Sequence, residues 1–281
     1  MLRTRILTAL VMGPLVLAAL LLLPPRGWGI AMLAVVVVAA HEWAQLARFA
    51  KATKVLFIAL LLAVGLGLLF LPAAGFARGW PPVIVYVGCG MSGVFWLLLA
   101  PLWLKQRWST KGQPVMLLTG WIVLIGAWIA LVELQARSPW LALAAMAIVW
   151  IADTAAYFSG RAFGHNKLAP MISPGKTWEG VYGGLAAVAI YALCLLPFAR
   201  AAGFEPVVDA WAIVVWIALG MGITAISVVG DLYESLMKRD AGVKDSGSLL
   251  PGHGGVLDRA DALLAAMPLA ALAAQCFLVK S

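Results

Sequence analysis

From Ile6 onward this chain is a succession of apolar runs, each about as long as a hydrocarbon layer is thick and each closed by proline, glycine or a polar cluster. A helix needs about 20 predominantly apolar residues to cross a bilayer, and inside it every backbone hydrogen bond must be made within the protein. Nine stretches have the required length, near 6–23, 28–47, 55–72, 82–104, 115–135, 139–160, 178–199, 208–230 and 259–279. The breaks fall at Pro24-Pro25, Pro72, Pro81-Pro82, Gly112 to Pro114, Ser138-Pro139, Ser173-Pro174-Gly175 and Gly203, where helices end or the chain turns. With 64% hydrophobic and 11% charged residues, the 281 residues hold more apolar surface than a soluble core of that length buries. The expected fold class is all-α, a polytopic membrane protein of about nine transmembrane helices.

Basic residues orient the chain, because Lys and Arg are retained on the cytoplasmic side. With a cytoplasmic N-terminus, fifteen of the 20 Lys and Arg fall in cytoplasmic segments; only Arg26, Arg78, Arg137, Arg200 and Lys280 face the other side, one per segment. Formal net charge +8 is then topology plus attraction to membrane lipids with anionic headgroups, and no nucleic acid is needed as a partner. Arg3 and Arg5 precede the first run as in a signal peptide, yet Pro24-Pro25-Arg26 offers no small-residue cleavage site, so the run reads as a retained span. Cys89, Cys194 and Cys276 stand singly in apolar segments, as packing residues do. Tryptophans near span ends read as interfacial anchors.

Charge is distributed unevenly along this frame. Eight of the 12 acidic residues fall in the two segments 153–179 and 231–261, leaving Glu42, Glu133, Glu205 and Asp209 elsewhere. The chain divides into a quiet region, 1–138, with helices 1–5, and a charged one, 139–281, with helices 6–9 and cytoplasmic loops 161–177 and 231–258. Charged groups in so apolar a chain cost free energy unless they pair, bind metal or meet water. If the eighth helix continues past Asp231, then Asp231, Glu234, Ser235 and Lys238 share one face. If the ninth begins near Asp258, Asp258 and Asp261 lie one turn apart at a helix N-terminus, whose dipole favours anions. Two such helix ends suit Mg2+, which takes one or two carboxylates and completes its shell with phosphate and water. Lys238, Arg239, Lys244 and Arg259 are donors of the kind that clamp phosphates, and glycines around His253 allow close backbone approach. Together these point to metal-assisted phosphoryl chemistry.

Each residue also has a plainer reading. The carboxylates are equally accounted for by pairing with neighbouring bases. Asp153 pairs with Arg161 in that reading, Ser173 is a helix N-cap, Lys176 snorkels, His253 is a turn residue, and Glu234 and Asp240 are solvated or supporting. Two tempting motifs fail: Gly175-Lys176-Thr177 is no P-loop, since Pro170 stands where glycine is required, and His41-Glu42-Trp43-Ala44-Gln45 has Gln in place of the second zinc-binding histidine.

The run from Ser235 through Lys238-Arg239 and Lys244-Asp245 to Pro251-Gly252-His253-Gly254-Gly255 and Asp258-Arg259-Ala260-Asp261 resembles the signature of the phosphatidate cytidylyltransferases, or CDP-diacylglycerol synthases. The stretch from Trp150 to Gly180 is similar to that family's upstream region, with Gly175 where many relatives carry Lys. The resemblance implies reaction of CTP with phosphatidic acid to give CDP-diacylglycerol and pyrophosphate, with Mg2+ held by Asp231 and Asp258. It makes Lys238, Lys244 and Asp245 catalytic, and assigns Asp153, Arg161, Ser173, Lys176, Ser235, Arg239, His253, Arg259 and Asp261 to substrate. It also implies a homodimer and a bacterial inner membrane with the site facing the cytoplasm.

Two other classes fit parts of the pattern. A secondary transporter places carboxylates near the midplane of repeated halves, whereas these charges gather at one edge and no repeat pairs the halves. A CTP-dependent lipid kinase would release CDP instead of pyrophosphate. A CDP-alcohol phosphotransferase lacks support, because its aspartate pattern is missing. The orientation has a direct test: a cysteine introduced near Ser246 is expected to be labelled by an impermeant reagent from the cytoplasmic side alone, and labelling from outside would invert the topology.

Overall fold

A computed structural model describes residues 2–70, 79–112, 114–201 and 210–277. Pro72, Arg78, Gln113, Gly203, Glu205, Asp209 and Lys280 lie outside the described residues. Among the described residues ten α-helices follow in order: α1 Leu2–Leu22, α2 Pro25–Leu46, α3 Lys51–Phe70, α4 Pro82–Val94, α5 Ala100–Gln106, α6 Val115–Arg137, α7 Pro139–Phe163, α8 Trp178–Ala201, α9 Ala210–Ala241 and α10 Leu257–Phe277. A π-helical turn, Phe95–Leu99, joins α4 to α5 within one rod. Its cause is local, since Pro101 lacks the N–H that a regular helix would donate one turn back.

Seven of these rods, counting Pro82–Gln106 as one, are long and apolar enough to cross a membrane among the described residues. The first and ninth expected spans are helices too, α1 and α10, but neither is among those seven. The protein is thus an all-α polytopic bundle, with one small addition that apolar run lengths do not announce. Residues Lys167–Ala169 (β1) and Ser173–Thr177 (β2) pair antiparallel in a hairpin between α7 and α8.

Helix α6 is the axis. It packs on α2, α4, α7 and α10, and α10 in turn packs on α4 and α9, so the charged C-terminal region is interlocked with the first half of the chain. Indole N–H groups fasten this core. Trp28 donates to Leu131 O (3.1 Å), Trp128 to Gly29 O (2.9 Å), Trp43 to Met116 O (3.1 Å) and Trp80 to Ile129 O (3.2 Å). These four tryptophans are buried and tie helices together inside the bundle, although Trp28, Trp43 and Trp80, near expected span ends, read from the sequence as interfacial anchors. The anchoring role remains open to exposed Trp108, Trp140, Trp178 and Trp211, which lie near span ends. Cys89 is buried, as a packing residue is, whereas Cys194 and Cys276 are exposed.

The connections after α2, α5, α7 and α9 meet at one end. Gly112 N donates to Ala47 O (2.7 Å), Arg48 Nη2 to Ala241 O (2.9 Å), and Thr110 N to Asp240 Oδ2 (2.7 Å). Asp240 is therefore a loop anchor and not simply solvated. Helix α9 runs well past Asp231, shortening the expected loop, and ends where Gly242 turns left-handed at φ 74°. Gly242 N bonds back to Arg239 O and Val243 N to Lys238 O, which satisfies two terminal carbonyls.

Gly230 lets α9 and α10 touch. A Cβ there would lie 2.6 Å from Asp261 O and 2.7 Å from Ala265 Cβ, both fixed parts of α10. The close crossing brings the Asp231 face of α9 against the first turns of α10. Gly230→Val is expected to cost about 1–3 kcal/mol through overpacking, read as a lowered thermal midpoint of the purified protein in detergent; an unchanged midpoint would show that the helices need not approach so closely.

Candidate active site

Four elements bring the charged side chains together at this end. Asp153 comes from α7, Lys176 from β2, Asp231, Glu234, Ser235, Lys238 and Arg239 from α9, and Asp258, Arg259 and Asp261 from α10. Thr177 Oγ1, not Ser173, caps α8 by accepting from Gly180 N (3.2 Å), and Ser173 is the first residue of β2. Arg239 Nε donates to Ile172 O (3.2 Å) and Lys176 Nζ meets Asp231 Oδ2 (2.5 Å), so the hairpin is fastened along α9 at two points. Lys176 thus reaches across to a carboxylate and does not merely snorkel.

Asp231 lies close enough to act by charge on both Asp153 and Asp261. Asp153 feels the charges of Asp231 and Lys176, and Asp261 feels those of Asp231, Lys176 and Lys238. Lys176 is the one base in ion-pair contact with any of the three among the described residues. Asp231 is partly open, its side chain 30% exposed, and also accepts from Ser235 Oγ (3.4 Å). The expected pairing of Asp153 with Arg161 is not made: Arg161 Nη1 donates to Tyr157 OH (3.2 Å) one turn away, while Asp153 faces Asp231 and Lys176.

A second cluster surrounds Lys238. Its ammonium lies 2.5 Å from Glu234 Oε2 and 2.7 Å from Asp258 Oδ1, with all three side chains largely withdrawn from solvent. Glu234 is buried and pairs by charge, with no well-directed hydrogen bond to either oxygen. Asp258 Oδ2 accepts three bonds, from Ser246 N (2.8 Å), Ser246 Oγ (2.9 Å) and Gly255 N (2.8 Å). Burial disfavours the charged carboxyl, but the bonds from Lys238, Gly255 and Ser246 outweigh it and hold Asp258 below the usual carboxylate range. Asp258 is ionised at neutral pH.

The remaining expected residues lie on the loop between α9 and α10 or beside it. Leu250 to Gly254 form a tight turn, closed by Leu250 N to Gly254 O (2.9 Å). His253 sits in it with Nδ1 buried and unbonded, and Arg259 Nε donates to His253 O (3.1 Å). Lys244 and Asp245 are exposed on the preceding loop. Among the described residues, no three His, Cys, Asp or Glu side chains are grouped to hold a metal by themselves.

One buried carboxylate in this end of the protein comes from the half that looked quiet. Glu42, near the end of α2 and 3% exposed, accepts from Val256 N (3.0 Å), Leu257 N (2.8 Å) and Ser246 Oγ (3.2 Å). The one sequence signal available was an acidic residue inside an otherwise apolar run.

Residues 3–277 match the Cytidylyltransferase family. The chain belongs to that family. A relative from Haemophilus influenzae, named phosphatidate cytidylyltransferase, is 37% identical over 282 residues, spanning 95% of this chain and 96% of its own length. One of the same name from Pseudomonas aeruginosa is 39% identical over 280 residues, spanning 95% of both chains. A third, from Brucella suis, is 50% identical over 123 residues, 44% of this chain. The protein is accordingly a nucleotidyltransferase.

Lys238→Ala leaves Glu234 and Asp258 facing each other without their cation, an arrangement expected to cost about 3–5 kcal/mol. Thermal melting of the purified variant checks it; a midpoint equal to wild type would mean that the two carboxylates are compensated by other groups.

Proposed function

We propose that the protein transfers the cytidylyl group of CTP to phosphatidic acid, forming CDP-diacylglycerol and pyrophosphate. The observation that carries this reading is the end-to-end similarity to two proteins named for that reaction. The site's composition supports it, since two phosphorylated substrates brought together need cations, and Lys176, Lys238, Arg239, Lys244 and Arg259 lie at one end of the bundle.

In this reading a phosphate oxygen of the lipid attacks the α-phosphorus of CTP in line, the new P–O bond forms, and the bond to the β-phosphate oxygen breaks as pyrophosphate leaves. A phosphate monoester is largely ionised near pH 7, its second pKa being about 6, so no strong general base is required. Positioning and charge compensation carry the rate. Lys238 and Arg239 would face the phosphates, while Lys176, released from or shared with Asp231, would hold a substrate oxygen. Arg161, Ser173, Ser235, Lys244, Asp245, His253 and Arg259 remain candidates for substrate contact.

Asp231 suits Mg2+ as a protein ligand, whereas Asp258, the other expected ligand, has Oδ1 on Lys238 and Oδ2 on three donors and would join it only by releasing Lys238. Asp231 is partly open and lies among carboxylates that outnumber their base, and Mg2+ characteristically takes few protein carboxylates and shares its remaining positions with phosphate and water. When bound, it supplies neutralisation of the triphosphate charge. We place the site at the cytoplasmic face of a bacterial inner membrane, on the strength of the basic-residue distribution and the bacterial relatives. CTP is then reached from the cytosol and the lipid from the adjoining leaflet.

Incubating purified protein with labelled CTP, phosphatidic acid and Mg2+ is expected to yield a nucleotide-bearing lipid and pyrophosphate. CDP with a newly phosphorylated lipid would instead identify a kinase. Asp231→Asn and Asp258→Asn are each expected to bring turnover to background with the protein still folded, and near-wild-type turnover in either would remove that residue from the metal site.

A further inference from the structure

Glu42 sits on α2, more than 200 positions in sequence from the groups it touches, and both of its oxygens are committed to the loop that presents Asp258. Oε1 and Oε2 accept the N–H groups of Val256 and Leu257, donors that the start of α10 leaves without an intrahelical partner. An acidic side chain from another helix thus caps α10. Glu42 also reaches Ser246 Oγ, and Ser246 binds Asp258 through both its N–H and its hydroxyl. The hydroxyl carries one proton and lies within reach of both carboxylates, so it donates to one at a time and couples them.

The loop is shaped around this carboxylate. A Cβ at Gly255 would lie 2.6 Å from both Glu42 oxygens, and one at Gly247 would lie 2.5 Å from Oε1, so both glycines let the backbone close onto it. Beyond Asp258 the chain of contacts continues to Lys238 and Glu234 on α9. Glu42 itself is 3% exposed, withdrawn from solvent.

We propose that Glu42 is a positioning residue for cytidylyl transfer: it fixes the start of α10 and, through Ser246, sets the orientation of Asp258 and hence of Lys238. This rests on the reaction proposed above. A purely structural carboxylate for comparison is Glu133, buried on α6, where it pairs with Arg137 and accepts Trp80 N.

The test compares Glu42→Gln, Ser246→Ala, their double variant and Glu133→Gln in the full-length protein, reading thermal midpoint, kcat, and KM for CTP and phosphatidic acid. Glutamine keeps the shape of Glu42 but turns one acceptor into a donor facing a backbone N–H. Glu42→Gln and Ser246→Ala are each expected to lower kcat about tenfold or more, with KM values changed less than about threefold, and the double variant to be little worse than either single one. Glu133→Gln is expected to lower the midpoint while leaving kcat of the folded protein near wild type. Wild-type kcat in Glu42→Gln would overturn the proposal, as would fully multiplicative effects in the double variant. Equal kcat losses in Glu42→Gln and Glu133→Gln at equal midpoints would reduce Glu42 to a structural role. Should Glu42→Gln fail to fold, Ser246→Ala decides alone, and wild-type kcat there sinks the idea. If the wild-type protein itself makes no nucleotide-bearing lipid, it is the proposed reaction that fails.

Discussion

The polar end of this bundle is organised by the cost of withdrawing carboxylates from water. An ionised carboxylate that loses hydration must recover it from donors or cations, and each arrangement here is a different solution. Asp258 recovers it from backbone N–H groups, a hydroxyl and Lys238. Glu42 takes two N–H groups at a helix start, and Asp240 takes the N–H and hydroxyl of Thr110. Because these donors lie on segments remote in sequence, satisfying the charge also closes the loops over the end of the bundle. Removing one charged group leaves others buried and unmatched, so the segments are held as a unit.

Asp231 and its neighbours are the exception that gives the site its character. Where Asp258 is fully supplied with donors, the group of Asp153, Asp231 and Asp261 has Lys176 as its close base among the described residues and is partly open. Such an imbalance favours an incoming cation, and the loop bases favour the anions that accompany it. The two clusters share α9 and α10, whose contact at Gly230 sets their spacing. The reaction proposed above would draw on this asymmetry, with rigid charge pairs holding the scaffold beside charge left open to an incoming substrate and cation.

Much of the architecture was legible because apolar run length and punctuation report helices directly. α9 and α10 appeared as spans, the shared face of Asp231, Glu234, Ser235 and Lys238 followed from helical spacing, and the motif from Ser235 to Asp261 led to the family that the whole-chain comparison then established. The misreadings have physical causes. Asp153 and Arg161 are two turns apart on α7, and Tyr157, one turn away, takes the guanidinium first. Ser173 looked like an N-cap because it precedes an apolar run, yet a hairpin intervenes and Thr177 takes the role. Buried tryptophans resembled anchors because their spacing from span ends says nothing about which side of the helix faces neighbours.

The sequence by itself determined the solvent this protein folds in, the approximate placement of its helices and the chemistry of its charged loops, because composition and periodicity are properties of neighbouring residues. Only the tertiary structure decided which charges answer which. Lys176 met Asp231, Lys238 was placed between Glu234 and Asp258, and Glu42 was carried from the apolar half to the start of α10. Those pairings depend on how helices cross in space, and a crossing is fixed by packing at points such as Gly230 that carry no charge and leave no pattern along the chain.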